Sequence, residues 1–303
     1  MNYDRLKSSQ FFEKIKSEED ARDLVWRSRF DGKVFVCPKC SSTKFWQHEA
    51  RPEIRQCSSC KLEVRLRVGT MFENSKTPIL TWLRVIHYMM QGKRGVSALE
   101  IKRLLNMKSY GTVWTMLHKI REALRQKDEA YKIKDIVELD GAVFGNRSTK
   151  NQADVLIAIE SKDFFDEKGR PKSRAGFAKV MVAKENAENA QAFVDKTIQP
   201  DSFVNTDGAP ALNGIKNVNH DYQVMNNEQA KINQWLPWVH KFISNAKAWI
   251  IGTHHGVGIQ HLRSYLAEYT YRFNRRHDQD SLFHRAVVAC ILAKPKTAQV
   301  LLG

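Results

Sequence analysis

Apolar and polar positions alternate in ways that divide the chain into helical flanks and a strand-rich middle. Residues 1–30 carry apolar positions at helical spacing, with Phe11, Phe12, Ile15, Leu24 and Trp26 as the candidate buried set. Ser17, three residues ahead of Asp20, predicts a helix start. Across residues 34–67 the period shortens, and segments 45–48 and 62–67 alternate like brief strands. Residues 78–127 return to helical spacing in three pieces. Pro78 opens the first, with Thr77 as its N-cap; Ser97 and Glu100 form a capping box ahead of a short helix ending at Leu105; the third spans 110–124.

Residues 134–226 read as strands with one helix. The first strand lies within 134–147, where Ile136, Val137 and Leu139 supply the apolar and β-branched content and Gly145-Asn146 marks a turn. Strands follow at 153–159 and 176–182, separated by a polar, Gly- and Pro-containing stretch, 161–174, that predicts a loop. Residues 187–197 are helical, and 203–207 form the fourth strand. Helices at 236–251, 259–274 and 281–293 close the chain. Three consecutive strands, a helix and a further strand resemble the order of a ribonuclease-H-like sheet. In that topology the first and fourth strands are neighbours.

Composition adds a partner. Lys plus Arg number 49 against 33 Asp plus Glu, a net charge of +16, which favours a polyanion such as nucleic acid. No apolar run approaches the length that spans a bilayer, and the N-terminus lacks the pattern of a secretory signal, so a cytoplasmic protein is expected. Four of the five cysteines form two CxxC knuckles, Cys37/Cys40 and Cys57/Cys60, sixteen residues apart. Two such knuckles present four thiolates to one ion, and an all-cysteine set leaves no open position for water. Residues 31–70 are therefore expected to be a zinc ribbon with one structural Zn²⁺, and Arg65 and Arg67 in its last strand are candidate DNA contacts.

Short helix, turn, longer helix is the helix-turn-helix pattern, and residues 77–128 are assigned to it. Its second helix offers Ser109, Tyr110, Thr112, Lys119 and Arg121. Thr112 and Lys119 share a face, while Arg121 lies off that stripe. A generic three-helix bundle gives a similar pattern; beside a zinc ribbon and a net charge of +16, DNA binding is the better reading. Arg272, Arg275, Arg276 and His277 cluster at the end of a later helix, where cations are favourable anyway. In the strand-rich middle, Glu138 and Asp140 share a strand face, and Asp207 ends the fourth strand. Either acid alone could merely close its strand or cap the next helix. Two acids at strand ends, far apart in sequence, are what a divalent-metal site on a sheet requires.

Taken together, the CxxC…CxxC ribbon, helix-turn-helix, VELD, NTDG, KAWIIGTHHG at 247–256 and YRFNRR at 271–276 occur in an order that resembles bacterial insertion-sequence transposases of the DDE type, in the zinc-ribbon, Merlin-like (ISXO-like) group. The resemblance covers roughly residues 30–290. It implies a multidomain α/β protein with a ribonuclease-H-like catalytic domain at 132–293, preceded by the helical segment 1–30. It also implies two Mg²⁺ or Mn²⁺ ions held between three ligands, two of which map to Asp140 and Asp207. The third is usually a glutamate on a helix with Lys or Arg seven residues later. Counting back seven from Lys247 gives His240, and no acid occurs in residues 236–251. His240 is the preferred third ligand, Asn245 its rival and Glu228 a fallback. The neutral imidazole of His240 would favour Mn²⁺. A further departure is Gly141, where relatives often carry a second acid.

The implied activity is binding of terminal inverted repeats, metal-dependent cleavage and strand transfer into target DNA, with Lys247 on the phosphate and Arg275 and Arg276 as further contacts. A homodimer or larger assembly on double-stranded DNA is expected. The alternatives are a DNA-binding regulator with a decayed core, and a cellular nuclease of the same fold. A zinc enzyme built on His254 and His255 is a distant third.

Overall fold

Ser17 starts the first long helix as its spacing to Asp20 predicts. The computed structural model describes residues 6–146, 151–224, 235–297 and 299–300. It separates into two units, Met1–Lys127 with Arg275–Gly303, and Asp128–Asn274. In the first, a short helix α1 (Phe11–Lys14) precedes α2 (Glu18–Arg29), and Ser17 and Asp20 cap α2 reciprocally. Phe11, Ile15, Leu24 and Trp26 are buried. Phe12 is instead 48% exposed, because its neighbour Phe11 takes the inward direction and adjacent helical residues point about 100° apart.

The ribbon strands β1 (Phe45–Trp46), β2 (Ile54–Cys57) and β3 (Glu63–Arg65) form a three-stranded antiparallel sheet. Helix α2 packs on it. The Arg55 guanidinium lies 4.5 Å from the Trp26 ring and 4.6 Å from the Phe45 ring, and Arg29 donates to the carbonyls of Arg65 and Leu66.

Three helices follow: α3 (Ile79–Met90), α4 (Ala98–Leu104) and α5 (Tyr110–Glu129), the last continuing beyond its expected end at residue 124. Thr77 does not cap α3. The Glu18 carboxylate does so from α2, accepting from the Ile79 and Leu80 N–H groups at 2.8 Å each. A helix start can take its acceptor from anywhere in the fold, so local sequence does not reveal this one. Ser97 caps α4 by accepting from the Glu100 N–H. The C-terminal helix, Gln279–Leu292, which sequence reading attaches to the catalytic domain, packs against α2 and α3 in this first unit.

The second unit is built on a five-stranded sheet. Its strands are β4 (Ile136–Asn146), β5 (Asn151–Phe165), β6 (Pro171–Val182), β7 (Phe203–Thr206) and β8 (Asn219–Tyr222), in the order β6-β5-β4-β7-β8. Strands β4, β5 and β6 are antiparallel, while β7 runs parallel to β4 and β8 parallel to β7. Alternation sorts the side chains into two layers. Val137, Leu139, Leu156, Ala158 and Val204 join Phe193 and Val194 of α6 (Ala187–Thr197) on one face. Ala142, Phe144, Val155, Ile157 and Ile159 join α7 (Pro237–His254) and α8 (Ile259–Asn274) on the other.

The expected loop at 161–174 is mostly strand. Strands β5 and β6 extend into a long hairpin, with Asp166 accepting from the Lys168 and Arg170 N–H groups at its turn. Its far end is exposed, so a strand there has no reason to be apolar; pairs such as Arg174 over the Phe164 ring take the place of core contacts. The edge strand β8, Asn-His-Asp-Tyr, escapes sequence reading for the same reason. Among the described residues no helix is long and apolar enough to cross a membrane.

Candidate active site

The parallel ladder between β4 and β7 pairs Ile136 with Phe203, Val137 with Val204 and Glu138 with Asn205. Continued by two residues, that register sets Asp140 level with Asp207, just past the end of β7. Two acids 67 positions apart in the sequence are thus brought to one place on the sheet. Asp140 is buried and shares its strand face with Glu138 and Phe144, the face that α7 covers. Asp207 is half-buried, and one of its carboxylate oxygens accepts from the Ala209 N–H at 3.0 Å.

Helix α7 is tied to the same strand at its first turn. The buried Glu138 carboxylate accepts from the Trp238 and Val239 N–H groups at 2.7 and 2.9 Å, satisfying two donors that a helix start leaves unpaired. Burial pushes the Glu138 carboxyl up to about 7, with those two N–H groups and Lys241 opposing. This anchor sets the helix so that His240 and Lys247, two turns apart, face the sheet. Glu138→Ala leaves two N–H groups without an acceptor, so a loss of about 2–4 kcal/mol in chemical denaturation is expected. Glu138→Gln, which keeps an acceptor, should lose less. Equal stability of wild type and the alanine variant would remove the anchor from the account.

His240 Nδ1 lies 3.7 Å from Asp140 Oδ2, and the other ring nitrogen is buried without a hydrogen-bond partner. Burial holds His240 below the usual histidine range despite Asp207, which favours the neutral ring that offers a lone pair to a metal. Asp140 is pushed up to about 7, first by burial, then by Asp207 and Glu185, while the Gly141 N–H and Lys247 pull it down. Donors 3.7 Å apart can both reach one ion at about 2.1 Å. Asp140 and His240 therefore fit one divalent cation, and Asp207 adds a second carboxylate near Asp140 without closing with them into a group as tight as the cysteines. Asp140, His240 and Lys247 line a cleft of about 830 Å³ whose walls include Phe144, Ile243 and Ile250. Asn245 is exposed and does not line that cleft. Glu228 lies outside the described residues.

One acid at this place was not read from the sequence. Glu185, half-buried between β6 and α6, feels the charge of Asp207, and Asp140 feels its charge in turn. In the sequence it is an ordinary acid just ahead of a helix; the sole signal is the glycine at 141.

The four cysteines meet in the first unit. Their sulfurs all lie within 4.8 Å of one another, with Cys37–Cys60 and Cys40–Cys57 at 3.5 Å and no disulfide between them. That is the compact all-thiolate set of a closed tetrahedral zinc site. Among the described residues no other group of three or more His, Cys, Asp or Glu is that tight. His254 belongs to no such group and packs edge-on against Trp249 and Tyr265.

Comparison with known families gives two matches. Residues 132–274 match the ISXO2-like transposase domain, and residues 16–63 match the transposase zinc-ribbon domain. The chain carries the DDE domain and the zinc ribbon of the ISXO2-like transposases. No curated protein sequence matches it. The transposase's ribbon match begins at residue 16, which takes in α2, the helix that packs on the ribbon sheet.

The transposase's candidate DNA contacts divide by exposure. Arg65, Ser109, Tyr110 and Thr112 are exposed, and Ser109 also caps α5 by accepting from the Thr112 N–H. Arg67 is engaged internally: it pairs with Glu53 at 2.7 Å and donates to the carbonyls of Ser75 and Thr77. Lys119 is half-buried, and burial holds it below the usual lysine range. Arg121 is buried at 1% exposure, on the core side of α5. Arg275 and Arg276 follow the last turn of α8 and are half-buried.

Proposed function

We propose that this transposase binds the ends of a mobile DNA element, cuts them and joins them to target DNA. Asp140, Asp207 and His240 hold the divalent metal, and Lys247 sits beside the scissile phosphate. The observation that carries the reading is the register of β4 on β7, which continued by two residues sets Asp140 level with Asp207, with Asp140 3.7 Å from His240 on the helix that also carries Lys247. Asp140, Asp207 and His240 would hold Mg²⁺ or Mn²⁺, which would supply activation of an oxygen nucleophile and charge stabilisation for displacement at phosphorus. Lys247 offers a point charge to a phosphate oxygen. His240 replaces a carboxylate with a softer nitrogen, which predicts better work with Mn²⁺ than with Mg²⁺.

End recognition falls to the ribbon, where Arg65 is exposed, and to the start of α5, where Ser109, Tyr110 and Thr112 are exposed. A net charge of +16 makes that binding salt-dependent. A dimer or larger complex pairs the two ends. The test is cleavage of a fragment carrying the gene's own flanks, with Mg²⁺, with Mn²⁺ and with chelator. Nicks at the element boundaries in Mn²⁺, fewer in Mg²⁺ and none with chelator are expected, and binding should weaken steeply as salt rises. Salt-sensitive binding without cutting in either metal would leave the protein as a DNA-binding regulator. Cutting without joining would make it a nuclease.

A further inference from the structure

Strands β5 and β6 run on past the core as a hairpin whose far end, residues 162–174, is largely exposed. Its register pairs Lys162 with Arg174 and Phe164 with Lys172. Ser173 points to the α7 side of the sheet, since Trp238 Nε1 at the start of α7 donates to its hydroxyl at 3.2 Å. Alternation then sets Lys162, Phe164, Lys172 and Arg174 together on the opposite side. Phe177 joins them: Lys162 Nζ lies 5.7 Å from its ring centroid, as the Arg174 guanidinium does from that of Phe164. Cation and aromatic ring thus alternate across one face of the hairpin, on both strands.

Packing does not call for rings at these positions. Phe164 is 42% and Phe177 37% exposed, and neither belongs to the two core layers of the sheet, although Phe177 meets the Tyr131 ring edge-on. The cations are only partly used. Lys162 pairs with Glu160 and Arg170 with Asp166, while Lys172 and Arg174 pair with no acid among the described residues. A second copy of this face would set like charges against each other, which is unfavourable. A polyanion suits the cations, and the flat faces of unpaired bases suit the rings. A duplex keeps its base faces stacked inside. The surface is also separate from the cleft: Phe164 lies seven residues along β5 from Ile157, the partner of Asp140, about 23 Å away and on the other side of the sheet.

We propose that this hairpin face binds single-stranded DNA, with unpaired bases stacked on Phe164 and Phe177 and the backbone held by Lys162, Lys172 and Arg174. The binding does not depend on the metal-site reading of Asp140, Asp207 and His240. Cutting one strand of a duplex lets nucleotides beside the nick unpair, and a stacking surface outside the cleft gives such nucleotides a place to be held.

The experiment uses the full-length, zinc-loaded protein without divalent metal in the buffer. Oligo(dT) carrying 5-iodouracil is photocrosslinked to it and the attachment points are mapped by mass spectrometry, which reads this face apart from the ribbon and α5. Fluorescence anisotropy then follows oligo(dT), an abasic strand of the same length and a duplex. Crosslinks at Phe164 or Phe177 are expected. Phe164→Leu should weaken oligo(dT) binding about fivefold or more and lower the crosslink yield in the hairpin, with abasic and duplex binding unchanged, and Phe164→Trp should restore both. Lys172→Gln with Arg174→Gln should flatten the salt dependence of oligo(dT) binding by about 1.4 in log–log slope. Crosslinks confined to the ribbon or α5, or wild-type binding by Phe164→Leu, would overturn the proposal. Equal losses by Phe164→Leu on all three probes would overturn it too, because the ring would then shape the hairpin and not stack on bases.

Discussion

Asp140→Asn should yield a folded protein that still binds DNA ends and has lost strand cleavage by at least about a thousandfold, about 4 kcal/mol in the barrier. The variant keeps size and shape, so the packing of β4 under α7 is retained. It removes a charge from the one residue that register, burial and the neighbouring His240 all bring to the centre of the site. Without metal the variant should melt a few degrees higher than wild type, because one of the mutually repelling carboxylates is gone. The companion comparison decides the third ligand. His240→Ala should lose about a hundredfold or more in cleavage, while Asn245→Ala stays within about twofold. Asn245 follows His240 by five residues, about 140° further round the helix, and it is exposed outside the cleft. Boundary-nicking rates in Mn²⁺, with end binding measured in parallel, check both. Full activity of His240→Ala beside a dead Asn245→Ala would move the ligand and require α7 to turn on its axis.

Much of this site could be read from the sequence because it rests on local rules. Ile136, Val137 and Leu139 mark a strand whatever surrounds them, and period two then fixes Glu138 and Asp140 on one face. A separation of seven places His240 and Lys247 on one helix face for the same kind of reason. What the sequence could not supply were pairings made in three dimensions. Glu18 caps a helix that starts some sixty residues later, and Glu138 caps one about a hundred residues later. Glu185 comes within electrostatic reach of Asp140 only once β5 and β6 have paired beside β4. Arg67 looked like a free cation because its partner, Glu53, lies across the ribbon. Arg121 looked available because a charge inside a helix is usually solvated, and here it is buried. The hairpin at 161–174 misled for the opposite reason: an edge exposed on its faces carries no apolar alternation to read.

Cys57→Ser should remove the zinc and unfold the ribbon, and end binding should fall by about a hundredfold or more as a result. The ribbon sheet has strands of two, four and three residues, too short to stand alone. Its buried apolar side chains are few, among them Phe35, Val64 and Leu66, together with Cys37 and Cys57 themselves. Four thiolates on one Zn²⁺ contribute about 10–16 kcal/mol of apparent binding free energy near neutral pH, which a sheet of this size cannot replace. Cys57 is the most telling of the four to change because it ends β2, is fully buried and comes within 3.5 Å of Cys40. Metal analysis should give one zinc per wild-type chain and none for the variant, and protease should then cut within residues 34–67. Residues 128–274 carry their own core on both faces of the sheet and should stay resistant. In that case Mn²⁺ binding at Asp140 survives while recognition of the ends is lost, and the two metals are separated by function. A Cys57→Ser protein that kept its zinc and its protease resistance would show that the ribbon folds on packing alone, which its inventory of buried side chains argues against.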